Sequence, residues 1–515
     1  MESPLHNVGG WLARRARIAG DRLAVVDADR SLTYLALEER TGRCAAALES
    51  AGVRRGDRVA LLLGNRSAYL EAVFAAARLG AIAVPVNARF TAREIRRVLE
   101  DCTPRLLIHD ASLADTAGAA CTGPPSPPAR LACGGEPDAY EQALARCEPR
   151  TRIEPVAPDH PMILLYTSGT TGTPKGAVLP HRKTLFNSLN AQLYFDLTRA
   201  DRVLVALPLF HSFGLSILSI PTLYAGGTVF LEPRFDPEAV WQAVGRHGIT
   251  FFGGVPTQFR ALLDELESVP AERYDRGSLR FLFTAGAAVP VETVLGFQAR
   301  GLVLEQGYGQ TETSILCCLD ARNAVRKAGS VGRPVFHAEL RVVAQAGLDG
   351  PPERWRDVAV GETGEIVVRG PITMLGYWND PEATAQVRRG DWLRTGDLAT
   401  VDDEGFLTLV GRVHQMYISG GENVYPAEVE AVYAEHPAIR EIAVVGIPDP
   451  KWGEVGRAYV VLSPGHGLDA DALRAWGGER LARFKLPADF VALPALPRTE
   501  SGKVQKHRLG DPPAA

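Results

Sequence analysis

From Met162 to Tyr166 the chain is apolar without a break, Met-Ile-Leu-Leu-Tyr, and then turns at once into Thr, Ser and Gly. An apolar run that stops on glycine and hydroxyl residues predicts a buried strand feeding a loop. Residues 57–85 read as strand, Asn-Arg turn, amphipathic helix and second strand. That is a βαβ unit and implies a parallel sheet. The pattern recurs as strand Thr228–Leu231, helix Pro237–His247 and strand Thr250–Gly253. Val203 to Leu231 contains no Asp, Glu, Lys or Arg. A bilayer span needs about 20 apolar residues. Here Pro208, His211, Ser212, Gly214, Pro221, Gly226 and Gly227 interrupt the run. It predicts a strand at Val203–Ala206, a buried helix at Leu215–Tyr224 and a strand at Thr228–Leu231, with no transmembrane segment. Residues 111–137 and 345–360, rich in Gly, Pro and Ala, read as surface excursions.

Past Arg412 a second α/β pattern begins. Pro426 leads a helix with Val429, Val432 and Tyr433 on one face. Strands follow at Ile439–Ile447 and Arg457–Leu462, then a helix at Ala470–Ala482. At 515 residues the chain exceeds the roughly 250–300 at which single cores stop growing. The expected fold class is α/β, with a large multi-sheet N-terminal domain and a small C-terminal one.

Hydrophobic content of 46% with 23% charged residues is that of a soluble globular protein. A net charge of −4 offers no basic surface for nucleic acid or anionic membrane. The seven cysteines are odd in number and none is spaced CxxC, so a disulfide framework or zinc site is not expected. The N-terminus has no signal-peptide apolar core, and a reducing cytoplasmic setting is expected.

The loop after the first apolar run carries the chemistry. Thr167-Ser168-Gly169-Thr170-Thr171-Gly172-Thr173-Pro174-Lys175-Gly176 combines hydroxyl donors, glycines that let backbone N–H groups approach an anion, and a lysine suited to phosphate. It is a polyphosphate loop but not a Walker loop. Counted from Gly169, the second glycine of that motif would fall on Pro174.

This loop closely resembles the phosphate-binding signature of the acyl-adenylate-forming enzymes: acyl-CoA ligases, adenylation domains of peptide synthetases and beetle luciferase. Further strings fall in that family's order along nearly the whole chain. They are PLFHSFG (208–214), TAGAAVP (284–290), GYGQTET (307–313), WLRTGD (392–397), GR (411–412), SGGENVYPAEVE (419–430) and PRTESGKVQK (497–506). The resemblance implies an adenylation domain over residues 1–411. A mobile lid over 412–515 would carry the catalytic lysine, with the hinge at His414.

The resemblance also assigns sites. Thr167, Ser168, Gly169, Thr170, Thr171, Gly172 and Lys175 would hold the ATP phosphates. Gly286, Ala287, Ala288, Gly307, Tyr308 and Gly309 would hold adenine. Asp397 and Arg412 would hold ribose and phosphate. Thr311 would donate to the α-phosphate, Glu312 would bind Mg²⁺, and Lys503 would catalyse adenylation. His211, Gly254 and Gly309 would border the acyl pocket. Ser419, Gly420, Gly421 and Glu422 would face the CoA tunnel.

Each role has a physical reading. A lone carboxylate beside a phosphate loop suits Mg²⁺, which prefers oxygen ligands and phosphate. A cation arriving only when carboxylate meets α-phosphate favours the transition state.

The chain departs from the family pattern at the hinge, where His414-Gln415 replaces a charged pair and Tyr417 an aliphatic residue. The proline of the adenine loop, Pro290, falls one place late.

The implied reaction joins a carboxylic acid to CoA through an acyl-adenylate, consuming ATP with Mg²⁺. Ser212–Leu231 holds no carboxylate to pair with an α-amine, which argues against amino acids. Phe210–Ile220 and Ile315–Leu319 are apolar with many small residues and favour a medium or long aliphatic acid. An aryl acid, or transfer to a carrier protein's phosphopantetheine, remains an alternative.

Overall fold

The computed structural model describes the chain except residues 123–126, 168–173, 288, 420–421, 482, 500–501, 503 and 510–515, and the side chains of 414, 422, 423 and 507. It divides into two compact units. One is Met1–Glu339 with Val368–Asp391, the other Leu340–Val367 with Trp392–Ala515.

The expected α/β class holds. In the first unit a six-stranded sheet runs in the order Ala129–Cys133, Leu106–Asp110, Arg58–Leu62, Ile82–Pro85, Pro161–Thr167, Lys175–Pro180. All neighbours are parallel except the last pair. Leu62, Val84, Ile95, Leu99, Leu107 and Leu164 form its core against the helix Ala92–Cys102. A nine-stranded sheet contains Ser314–Leu319, Leu304–Gln310, Phe281–Thr284, Phe251–Gly254, Arg202–Val205 and Thr228–Leu231 as consecutive neighbours. Trp241, Phe252, Phe259, Leu282 and Leu304 pack one of its faces against the helices Pro237–His247 and Pro256–Ser268.

Three local expectations are revised. The helix of the first βαβ unit, Ser67–Arg78, is buried all round, not amphipathic. Its two charges are neutralised in place, Glu71 by Arg40 at 2.6 Å and Arg78 by Glu38 at 2.5 Å. Residues 111–137 are no mere excursion. They include the helix Ala114–Ala120 and the strand Ala129–Cys133, which extends the sheet through Leu106–Asp110. The helix after PLFHSFG begins earlier than expected, as a π-helix over Phe213–Ser219 that continues as an α-helix over Ile220–Ala225. Among the described residues no helix is long and apolar enough to cross a membrane.

Glu339–Val343, Gly364–Arg369 and Trp392–Val401, which fall mostly in the second unit, lie side by side, and Leu407–Arg412 pairs with the last. A further sheet joins Glu422–Val424, Tyr417–Ser419, Gly453–Leu462 and Ile439–Asp449, with Asp489–Ala492 parallel to Gly453–Leu462. The helix Pro426–Ala434, opened by its proline, packs Val429 and Tyr433 onto Val444 and Val460. The helix Ala470–Gly478 stops before Ala482, at a glycine pair.

Tyr417 is accommodated by two glycines. Gly446 and Gly456 are cross-strand partners, and a Cβ at either would fall about 2.3–2.4 Å from Tyr417 atoms.

Candidate active site

The parallel strands of the nine-stranded sheet deliver the expected residues at their carboxyl ends, where open α/β sheets bind ligands. Gly254 ends Phe251–Gly254 beside Thr284, which ends Phe281–Thr284. Gly286 and Ala287 follow, both exposed, with Gly286 at φ +92°. Ala288 lies outside the described residues. His211 follows Arg202–Val205 in a turn where its N–H donates to Pro208 O at 3.1 Å.

Gly307, Tyr308 and Gly309 lie in the strand Leu304–Gln310. Tyr308 is buried, paired across the strand with Cys317. Packing demands the two glycines. A Cβ at Gly307 would meet Phe283 Cζ at 2.4 Å, and one at Gly309 would meet Ser314 O at 2.0 Å. The hairpin then closes tightly. Gln310 N–H donates to Thr313 Oγ1 at 3.1 Å, and Ser314 takes a left-handed φ of +61°. Thr311 and Glu312 sit on this turn, half-buried.

Thr167 and Lys175 close the phosphate loop as cross-strand partners. Thr167 Oγ1 donates to Lys175 O at 3.4 Å. Ser168, Gly169, Thr170, Thr171 and Gly172 lie outside the described residues.

Residues 374–378 connect loop and turn. Met374 N–H donates to Glu312 O at 2.7 Å, Leu375 N–H to Val178 O at 2.9 Å and Trp378 N–H to Gly176 O at 2.7 Å. Tyr377 in this segment donates its hydroxyl to Glu312 Oε1 at 3.0 Å, and Lys175 Nζ stands 5.5 Å from its ring centroid. The expected phosphate cation and the expected metal carboxylate thus share one tyrosine. Sequence reading missed Tyr377, and the Gly-Tyr-Trp string at 376–378 was the available signal. It also missed Lys183, a buried lysine bonded to Ser314.

Glu312 suits Mg²⁺. Its Oε1 accepts from Tyr377, it is a hard oxygen donor, and Mg²⁺ is commonly held by one or two carboxylates together with substrate phosphates.

In the second unit Asp397 and Arg412 are cross-strand partners, with Arg412 Nε 2.8 Å from Asp397 Oδ1. The residues before Asp397 are held firmly. Arg394 binds Glu365 through two hydrogen bonds of 3.1 and 2.8 Å, Gly396 N–H donates to Glu365 Oε1 at 3.2 Å, and Thr395 Oγ1 donates to Ile366 O at 2.8 Å. Ser419 is buried at the end of Tyr417–Ser419 and pairs with Glu422 in the next strand. His414 lies in the 3₁₀ turn Val413–Gln415. Gly420, Gly421 and Lys503 lie outside the described residues.

The family described as AMP-binding enzyme matches residues 12–378, and the AMP-binding enzyme C-terminal domain matches residues 428–503. The chain is 43% identical over 502 residues to a feruloyl-CoA synthase of an Amycolatopsis species, covering 97% of each chain. It is 34% identical over 509 residues to the long-chain-fatty-acid–CoA ligase FadD13 of Mycobacterium tuberculosis, covering 98% of this chain and 97% of that one. Among solved structures it is similar to the o-succinylbenzoate CoA synthetase of Bacillus subtilis in complex with ATP and a magnesium ion. That match has a TM-score of 0.85 and 33% identity, covering 98% of this chain and 99% of the other.

Proposed function

The chain belongs to the AMP-binding enzyme family as an AMP-forming acid–CoA ligase, and on that premise we propose that its acid is a planar aryl or arylalkenyl acid. The observation that carries this is the ring packing around Phe283, in a strand that ends at the site. Phe283 occupies the space opened by Gly307, and Leu218 occupies that opened by Gly253, the cross-strand partner of Phe283. Phe283 packs further against Phe213 at 5.9 Å and Phe195 at 4.6 Å. Gly307 and Gly253 therefore abut a ring and a leucine surface. Aromatic rings pair favourably with one another, which supports an aryl guest. The greater identity to the feruloyl-CoA synthase than to the fatty-acid ligase supports the same reading.

In the proposed reaction a carboxylate oxygen of the acid attacks the α-phosphorus of ATP and pyrophosphate leaves. The CoA sulfur then attacks the acyl carbon and AMP leaves. Lys175 with Thr167 and the loop Ser168–Gly172 holds phosphates, Tyr308 with Gly286–Ala288 holds adenine, and Asp397 with Arg412 holds ribose. Thr311 donates to the α-phosphate, and Lys503 enters only for adenylation. Glu312 would hold Mg²⁺, which neutralises phosphate charge. The lid is residues 412–515, pivoting at His414, and CoA enters past Ser419–Glu422.

The test is AMP release from cinnamic, benzoic and indole acids against octanoic to palmitic acids, with CoA or a phosphopantetheinylated carrier protein. The best aryl acid with free CoA should exceed the best fatty acid by at least about tenfold in kcat/KM, ~1.4 kcal/mol of transition-state binding. A fatty acid in first place sinks the aryl assignment. Turnover only with the carrier sinks the CoA acceptor.

A further inference from the structure

The helix His181–Tyr194 turns a polar edge inward. Lys183, Asn187 and Asn190 follow the i, i+4, i+7 spacing that ordinarily carries apolar residues, and all three are buried. All three grip segments distant in sequence, and Lys183 and Asn187 hold neighbouring residues of one strand. Asn190 Oδ1 accepts from His337 N–H at 3.3 Å. Asn187 donates to Ser216 O at 2.6 Å and accepts from Ile315 N–H at 3.3 Å. Lys183 donates its ammonium to the Ser314 hydroxyl across 131 residues of sequence.

A buried ammonium is costly, and a methionine of equal reach would pack without that cost. Burial lowers the Lys183 pKa from 10.5 to about 7, with the charge of Glu312 pulling it back up and Arg182 opposing. Ser314 holds a left-handed backbone that non-glycine residues rarely adopt. It closes the turn that carries Thr311 and Glu312.

We propose that Lys183 is a positioning residue for nucleotide activation: its ammonium anchors Ser314 in the left-handed conformation and sets positive charge beside the Thr311–Glu312 turn, so that Glu312 keeps the orientation that receives the magnesium nucleotide. This rests on the metal role proposed above for Glu312. The packed alternative, in which Lys183 only fills space, predicts lost stability without any change in how Mg²⁺ is felt.

The test is calorimetric titration of the full chain with α,β-methylene-ATP, with and without Mg²⁺. Mg²⁺ should tighten wild-type binding, and Lys183→Met should lose about tenfold of that gain while binding without Mg²⁺ stays within about twofold. Ser314→Ala should lose the same gain, and the double variant should lose no more than either single one. Lys183→Gln, which restores a donor without the charge, should recover part of it. A folded Lys183→Met with the full Mg²⁺ gain overturns the proposal, as do losses at the two sites that simply add. If Lys183→Met does not fold, an intact gain in Ser314→Ala overturns it alone. Glu312→Gln serves as the control. Should it keep the full gain, the metal role of Glu312 fails, and this inference with it. A wild type that makes no adenylate from any acid would instead overturn the function reading and leave the titration to decide on Lys183.

Discussion

Tyr377 donates its hydroxyl to Glu312 Oε1 at 3.0 Å across 65 residues of sequence, and the face of the same ring lies 5.5 Å from Lys175 Nζ. One phenol therefore orders a carboxylate through its oxygen and a cation through its ring. Glu312 sits on a hairpin turn and Lys175 on a strand of another sheet, and the segment 374–378 brings them together.

Tyr377→Phe keeps the ring over Lys175 and removes the bond to Glu312. A hydrogen bond to a charged group is worth about 1.5–3 kcal/mol, so the KM for MgATP in pyrophosphate exchange should rise roughly tenfold or more. Thioester formation from a supplied acyl-adenylate should not change. An unaltered KM for MgATP would reduce Tyr377 to a packing role.

Lys503→Ala should nearly abolish adenylate formation and affect thiolysis of a supplied acyl-adenylate much less. In the proposed role its charge is needed only where carboxylate meets α-phosphate. The two half-reactions are measured separately, by pyrophosphate exchange and by AMP release with CoA. An equal fall in both rejects the assigned role.

Tyr417 buries its hydroxyl without a hydrogen-bond partner among the described residues, against the position a Cβ would take at Gly456. Tyr417→Phe should therefore be neutral or stabilising by up to about 1 kcal/mol. Gly456→Ala should destabilise by about 1–3 kcal/mol through overpacking. Because the nearest atom is the hydroxyl itself, Tyr417→Phe should relieve part of that loss. Thermal unfolding of the four proteins checks it, and a Gly456→Ala cost that is the same in both backgrounds counts against the contact.

Glu305 is 8% exposed on the strand Leu304–Gln310. Burial raises its carboxyl from 4.5 to about 8, and the charge of Asp320 adds to the rise. The folded state thus holds a proton that the unfolded chain has lost. Stability should fall as pH climbs from about 4.5 to about 8 and level off above that. Glu305→Gln removes the penalty. The variant should be more stable than wild type by at least about 1 kcal/mol near pH 8.5, with the difference closing toward pH 4.5. Parallel melting curves at both pH values would refute the buried-acid account.

The nucleotide chemistry was legible in the amino-acid string because its requirements are local. Glycines, hydroxyls and Lys175 must be adjacent to line a phosphate loop, and a βαβ unit shows its switch of period within about 30 residues. Hence Pro161–Thr167, Pro237–His247 and Pro426–Ala434 stand close to where their patterns placed them. The burial of Ser67–Arg78 was not legible. Its Glu71 and Arg78 look like a solvated face until Arg40 and Glu38 are brought beside them.

Local pattern determined the α/β class, and the motifs, through their resemblance to the acyl-adenylate-forming enzymes, pointed to the activation of an acid by ATP. Tertiary structure alone decided what each small or charged residue does there. Gly307 reads in sequence only as part of a nucleotide-binding string, but the fold packs Phe283 against it, while Gly446 and Gly456 make room for Tyr417. Lys183 reads as one more helix lysine until the fold sets it against Ser314. The physical reason is the same in each case. Backbone and donor requirements repeat over a few residues and leave a trace in the chain, whereas close packing and buried charge pairing join residues far apart in sequence.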